Sequence, residues 1–349
     1  MKERTSNIEL LRIIALWMIV AYHIFAFCIY QYFPDANTVY KAIWLPLHVG
    51  VVVFILISGY FRIKPSVKGV VRLLSYMFIY TVPIGLINNY LTGGGFFDYV
   101  KTCLFVSNSP FWFMRTYFCL YVLSPIINRL LDKSDNVQWF QSILLLSIVA
   151  LYIGLAHFAD SLTSGKNVVC FTLIYILGAT IQKFQLWQKN NKWVFLGGYI
   201  VLNLVEMVIY LVFSGNIIGE SFFYVCFHYC SPVLIFNAAL LFCFFLNMKV
   251  KSSLVNWFAN SALAIYLIHT LIFNVIIMPG AHYIYNYNSS VWFVIPCILV
   301  FAAFISLGCM LADKLLTPIW LVSGLFAKSI ENKWSIISKK IKDKSSIVD

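Results

Sequence analysis

Runs of about 20 predominantly apolar residues recur along the chain between short polar segments, and that is the length a helix needs to cross the hydrocarbon of a bilayer. They fall at approximately residues 8–30, 42–61, 70–91, 111–131, 140–159, 168–186, 193–213, 223–246, 258–278 and 291–313. The pattern predicts an all-α, polytopic integral membrane bundle of about ten transmembrane helices. No small-residue cleavage site follows the first run, so the first helix is expected to be retained. Residues 1–326 are expected to form one transmembrane domain. Residues 327–349, rich in lysine and serine and carrying Trp334 among spaced isoleucines, are expected to form a basic tail, either lying on an anionic membrane surface or disordered. The longest loop, about residues 92–110, holds Gly93, Gly94 and Gly95 and reads either as a flexible cover or as a plain connector.

Composition agrees with a lipid environment. Of 349 residues, 61% are hydrophobic and only 11% charged, where a soluble domain is about one quarter charged. Nine cysteines lie scattered and read as small apolar packing residues. Cys226, His228 and Cys230 diverge in direction on a helix, so no metal is expected.

Charge adds the orientation. The net charge is +12, which taken alone could suggest nucleic acid. With ten spans and a cytoplasmic amino terminus, 21 of the 25 lysines and arginines fall on the cytoplasmic side, and only Lys41, Lys101, Arg115 and Lys166 are left on or near the outer face. That bias is the positive-inside rule, so both termini are expected in the cytoplasm and no nucleic-acid partner is expected.

Within this frame the first span carries the most pointed chemistry. Arg12 and His23 are eleven residues apart, which on a helix is about three turns plus 20°, or about 16 Å along the axis. The two side chains share a face but cannot touch along a straight helix. An ionisable group as deep as His23 normally faces a protein interior or a wet cavity, and a neutral imidazole can take a proton from an attacking hydroxyl. Glu9 lies one turn from Arg12 and is expected to pair with it. Arg62, Lys64, Lys68 and Arg72 crowd one cytoplasmic loop. They suit phosphate binding, and they also satisfy the charge bias without it. Arg115 opposes that bias and could meet an anionic acceptor. Glu206 is an acid in mid-span that suggests a buried partner or substrate contact.

Four segments in order resemble the acyltransferase-3 family of membrane-bound acyltransferases. They are the acidic residue, Leu-Arg12 and His23 of the first span; Phe54-Ile-Leu-Ile-Ser58-Gly59-Tyr60-Phe61 with Arg62, Lys64 and Arg72 following; Trp112-Phe-Met-Arg-Thr-Tyr117 through Tyr121 to Pro125; and Ile265-Tyr266-Leu267-Ile268-His269. The resemblance implies an acyltransferase that moves an acyl group, most often acetyl, from cytoplasmic acyl-CoA to a hydroxyl of a glycan or lipid-linked glycan. A bacterial surface or exported polysaccharide, modified at the cytoplasmic membrane, is the expected acceptor. His23 is then expected to be catalytic, either as general base or as transient acyl carrier. Arg12, Arg62, Lys68 and Arg72 are expected to hold acetyl-CoA, and Ser58, Trp112, Tyr117 and His269 join Glu9, Arg115 and Glu206 as further candidates. A transporter or flippase is the competing class, but Pro83, Pro232 and Pro296 form no paired pattern of broken helices.

Overall fold

The computed structural model describes residues 6–33, 35–105, 111–156, 165–188 and 191–345, without the side chains of 150–156 and 334–345. Its elements are α1 (Ser6–His23), α2 (Val39–Ala42), α3 (Trp44–Tyr60), α4 (Val67–Leu91), α5 (Phe96–Cys103), α6 (Trp112–Lys133), α7 (Asn136–Ala156), α8 (Val168–Lys183), α9 (Lys192–Phe213), α10 (Ile217–Phe227), α11 (Pro232–Leu246), α12 (Ser253–Ala259), α13 (Ala262–Leu271), α14 (Met278–Tyr287), α15 (Val291–Leu315) and α16 (Thr317–Ser345). Among the described residues there is no strand. Helix starts follow ordinary capping chemistry. Ser66 accepts from the Gly69 amide at 3.0 Å and Asn167 from the Cys170 amide at 2.9 Å, while Ser231 with Pro232 opens α11.

Among the described residues each of the ten predicted segments is mainly helical, residues 157–159 of the fifth lying outside them, but the segments are not equivalent spans. Five meet the length and hydropathy of a crossing helix: Ser6–Tyr30, Val39–Tyr60, Val67–Leu91, Lys192–Phe213 and Val291–Leu315. Two more do so as bent pairs, α10 with α11 at 49° and α12 with α13 at 45°. The apolar stretches of α7 and α8 are shorter, and α6 carries Arg115, Arg129, Asp132 and Lys133.

The core runs through α1, α3 and α8, with α11, α13 and α15 packed around α1 and α3. Within the apolar window of Val39–Tyr60, 78% of residues are buried, against 22% for Lys192–Phe213, so α3 is central and α9 faces outward. Close approach explains two of the glycines. A Cβ on Gly59 would collide with the Tyr175 carbonyl of α8, and one on Gly50 would lie 2.5 Å from the Ala15 carbonyl of α1. Small residues let backbones meet where lipid offers no hydrophobic drive to association. At the start of α1, buried Asn7 donates to the Phe245 carbonyl of α11 at 2.8 Å; further along, Trp17 donates to the Leu299 carbonyl of α15 at 3.0 Å.

Contacts across loops sort the two ends of the bundle. Arg72, Asn260 and Lys314 line one cavity. At the opposite end Tyr40 donates to the Ser289 carbonyl at 2.8 Å, and Lys41 pairs with Glu220 at 2.6 Å.

Three expectations change. The glycine-rich loop carries a helix, α5, with Phe96 and Phe97 exposed, while the 106–110 part lies outside the described residues. The basic tail is continuous with α16, which crosses the expected boundary at 326/327; Ala327 is 1% exposed and α16 packs along α4. Of the scattered cysteines, Cys170 and Cys230 form a disulfide between the start of α8 and the α10–α11 bend.

Candidate active site

At the end of α1 the helix widens. Residues Ile24–Tyr30 continue it as a π-helix that starts directly after His23, and a second π segment, Phe273–Ile277, begins four residues after His269 of α13. Such segments are rare and gather at functional sites. Here they flank two histidines that meet: His23 Nδ1 lies 2.9 Å from His269 Nε2, with the rings stacked 5.1 Å apart. His269 is 1% exposed and its Nδ1 lies 2.7 Å from the Ile265 carbonyl.

That carbonyl settles the protons of the pair. A carbonyl oxygen can only accept, so His269 carries its proton on Nδ1 and presents a lone pair on Nε2. His23 must therefore donate from Nδ1, which leaves the Nε2 of neutral His23 as a lone pair. The arrangement supplies an oriented base or nucleophile on the half-buried His23 ring.

The other end of α1 gathers basic side chains. Arg12 Nη1 donates to both oxygens of Glu9, at 3.0 and 3.3 Å. Its side chain keeps 34% exposure against 9% for Glu9. Arg12 lines a cavity of about 330 Å³ together with Ser58, Arg72, Tyr76, Tyr117 and Asn260. A second cavity, about 670 Å³, shares Arg72, Tyr76 and Asn260 with the first and adds Lys68, Lys314 and Lys328. Its one carboxylate, Asp313, accepts from Tyr80 at 2.7 Å and from Trp320 at 3.0 Å. Ser261, 1% exposed, lines the same cavity with its hydroxyl unpartnered.

A row of aromatic contacts connects the wall of the smaller cavity to the histidines. Phe113 lines the cavity, lies 5.4 Å from the Tyr266 ring, and Tyr266 lies 6.0 Å from His269. Tyr117 stacks on Phe113 at 5.7 Å and shares a 3.2 Å hydrogen bond with Ser58.

The remaining candidates separate. Arg62 lines neither cavity. It takes the left-handed backbone conformation after α3, with φ 54°, and its Nη1 donates at 3.4 Å to Asn128 and to Asp132 of α6. Trp112 stands beside Tyr229 at 5.3 Å with the Lys166 ammonium over its ring at 5.4 Å. Arg115 is exposed on α6. Glu206 is buried at 4% on α9 with Oε1 unpartnered, and it does not line the Arg12 cavity. Sequence reasoning passed over His48 and Lys166. His48 touches Tyr22, which touches His23, both at 5.2 Å between ring centres. The only signal for Lys166 was its place outside the charge bias. Among the described residues no group of three or more histidine, cysteine or acidic side chains is arranged to hold a metal.

No curated protein matches the chain, and no solved structure matches it. Residues 5–311 match the sequence profile of a family described as an acyltransferase domain, acyltransferase 3. That stretch spans both ends of α1, the row of aromatic contacts and His269. The chain therefore belongs to the acyltransferase-3 family and is a multi-pass membrane acyltransferase.

Proposed function

We propose that the protein is an O-acetyltransferase of the bacterial cytoplasmic membrane, moving acetyl from cytoplasmic acetyl-CoA to a hydroxyl of a surface or exported polysaccharide. The observation that carries this reading is the free Nε2 of His23, fixed through His269 and the Ile265 carbonyl, at one end of a helix whose other end opens on cationic cavities.

The donor set fits acyl-CoA. Its phosphates are matched by Lys68, Arg72, Lys314 and Lys328, whose cavity holds one acid already engaged by two donors. Guanidinium groups grip phosphate through their planar fork. Arg12 and Tyr117 line the adjoining space and would receive the amide-bearing arm, and the thioester would pass Phe113 and Tyr266 toward His23. Arg62, engaged with Asn128 and Asp132, is left out of this donor set.

As general base, His23 Nε2 takes the hydroxyl proton of the acceptor while its oxygen attacks the thioester carbonyl carbon. The tetrahedral intermediate collapses by breaking the carbon–sulfur bond, and the imidazolium returns the proton to the leaving thiolate, so CoA departs as thiol. His269 accepts from His23 Nδ1 throughout and steadies the imidazolium. As nucleophile, the same lone pair would attack the carbonyl carbon and expel the thiolate, giving an acyl-histidine that the acceptor then cleaves.

Purified protein in liposomes, given acetyl-labelled CoA and glycan, tests the reading. Transfer is expected from the wild type and lost in His23→Ala with membrane insertion intact. Acid quenching during turnover separates the two routes, since only the second leaves label on the protein. Full activity in His23→Ala overturns the proposal.

A further inference from the structure

Near the His23 end of α1 lies a cation that the chemistry above does not use. Lys166 sits in the loop before α8, half-buried, with its ammonium over the Trp112 indole at 5.4 Å. Its position is fixed from four directions. Thr116 donates to the Lys166 carbonyl at 3.3 Å. Gly165, at φ +78°, lets the loop press on Tyr229 and Cys230, where a Cβ would fall 2.7 Å from Tyr229 Cβ. Asn167 caps α8, and the Cys170–Cys230 disulfide ties that helix start to the α10–α11 bend. Burial pulls the Lys166 ammonium below the ordinary lysine pKa, and among the described residues no carboxylate forms an ion pair with it.

His48 joins the same cluster through Tyr229, which also touches Trp112, and is 4% exposed. It is stacked on Phe227 at 3.8 Å and on Tyr229 at 4.4 Å, and its Nε2 has no hydrogen-bond partner. A buried nitrogen left in that state is costly unless a ligand or water completes it. Tyr22, His23 and Trp112 each keep part of their surface uncovered, so the cluster brings together aromatic rings, a cation with no ion-pair partner among the described residues and an imidazole with one unpartnered nitrogen, beside the catalytic candidate.

We propose that Lys166, His48 and Trp112 form the acceptor subsite and that it selects a sugar bearing a negative charge, a carboxylate or a phosphate. This rests on the acetyltransferase reading only in taking His23 as the reacting centre. The indole offers a flat face to a pyranose ring, the ammonium meets the anion, and His48 Nε2 meets a ring hydroxyl. The donor phosphates have their own cations at the opposite end of α1, so Lys166 is not needed for them. Its three companions on the outer face are placed elsewhere: Lys41 is paired with Glu220, Lys101 lies near Asp98 at 3.8 Å, and Arg115 is exposed on α6.

Equilibrium binding to the purified full-length protein in detergent tests this without turnover, using labelled digalacturonate, galactose 6-phosphate and neutral digalactose. The wild type is expected to bind at least one of the anions about tenfold to hundredfold more tightly than the neutral sugar, the worth of one charge-assisted hydrogen bond. The tighter of the two identifies carboxylate or phosphate. Lys166→Ala should reduce that preference to within about twofold of parity, and Lys166→Arg should restore most of it, which a purely structural role of the side chain would not produce. Equal binding of charged and neutral sugars by the wild type overturns the proposal. So does a Lys166→Ala protein that weakens all three alike, or one that keeps the anion preference. CoA release by wild type and His23→Ala, measured on the same preparations, reports separately on the acetyltransferase reading.

Discussion

The two ends of α1 belong to one continuous helix and yet offer opposite environments. At the Arg12 end the guanidinium is held by Glu9 and faces cavities walled by further cations. At the His23 end the polar groups are few, set among aromatic rings, and the two histidines are joined to each other. The difference teaches a division of labour. A highly charged carrier needs many donors near water, whereas proton transfer needs one lone pair whose direction is fixed. About 16 Å of helix separates the two tasks, which is a span for a long flexible arm and not for a side chain.

Five substitutions would break or sharpen this comparison. His23→Ala removes the lone pair, and turnover should fall by about 10² to 10⁴, the usual worth of a positioned acid–base group. His269→Ala leaves His23 in place without its acceptor, and kcat should fall about tenfold at little cost in KM for the donor. His269→Gln, whose side-chain carbonyl can take the Nδ1 proton, should recover part of that loss; no difference between Ala and Gln would sink the tautomer argument. At the opposite end, Arg72→Ala should raise KM for acetyl-CoA about tenfold, more at low salt than at high, and leave kcat nearly intact. Arg62→Ala should change donor KM by less than about twofold and lower stability by about 1 kcal/mol or less, because its partner Asp132 is 71% exposed. A large donor effect at Arg62 would return it to the binding set.

The chain's pattern makes the helices readable because a bilayer admits few alternatives to long apolar helices. The shared face of Arg12 and His23 follows from helical spacing alone, and the Glu9 pair from a separation of three residues. Contacts between distant elements do not follow from either. His269 lies 246 residues from His23, and its pairing depends on how α13 packs against α1. The basic loop looked uniform because its charges are neighbours in sequence. The left-handed turn at Arg62 sends that side chain toward Asn128 and Asp132, while Lys68 and Arg72 line the larger cavity. Arg115 and Lys166 were indistinguishable as exceptions to the charge bias. A pinned loop brings Lys166 over Trp112, while Arg115 stays exposed. The π segments after the two histidines have no spacing signal, since they answer to tertiary packing. Likewise residues from 327 on read as a basic tail until Ala327 and Lys328 are seen walling the cationic cavity as part of α16.

The most direct test of the divided helix is a structure of the protein with a non-hydrolysable acetyl-CoA analogue bound. The account predicts the phosphates against Lys68, Arg72 and Lys314, the arm passing Arg12 and Tyr117, and the acyl carbonyl carbon within about 3.5 Å of His23 Nε2. An analogue whose acyl group stops beside Arg12, or whose phosphates lie at the Lys166 end, would contradict it.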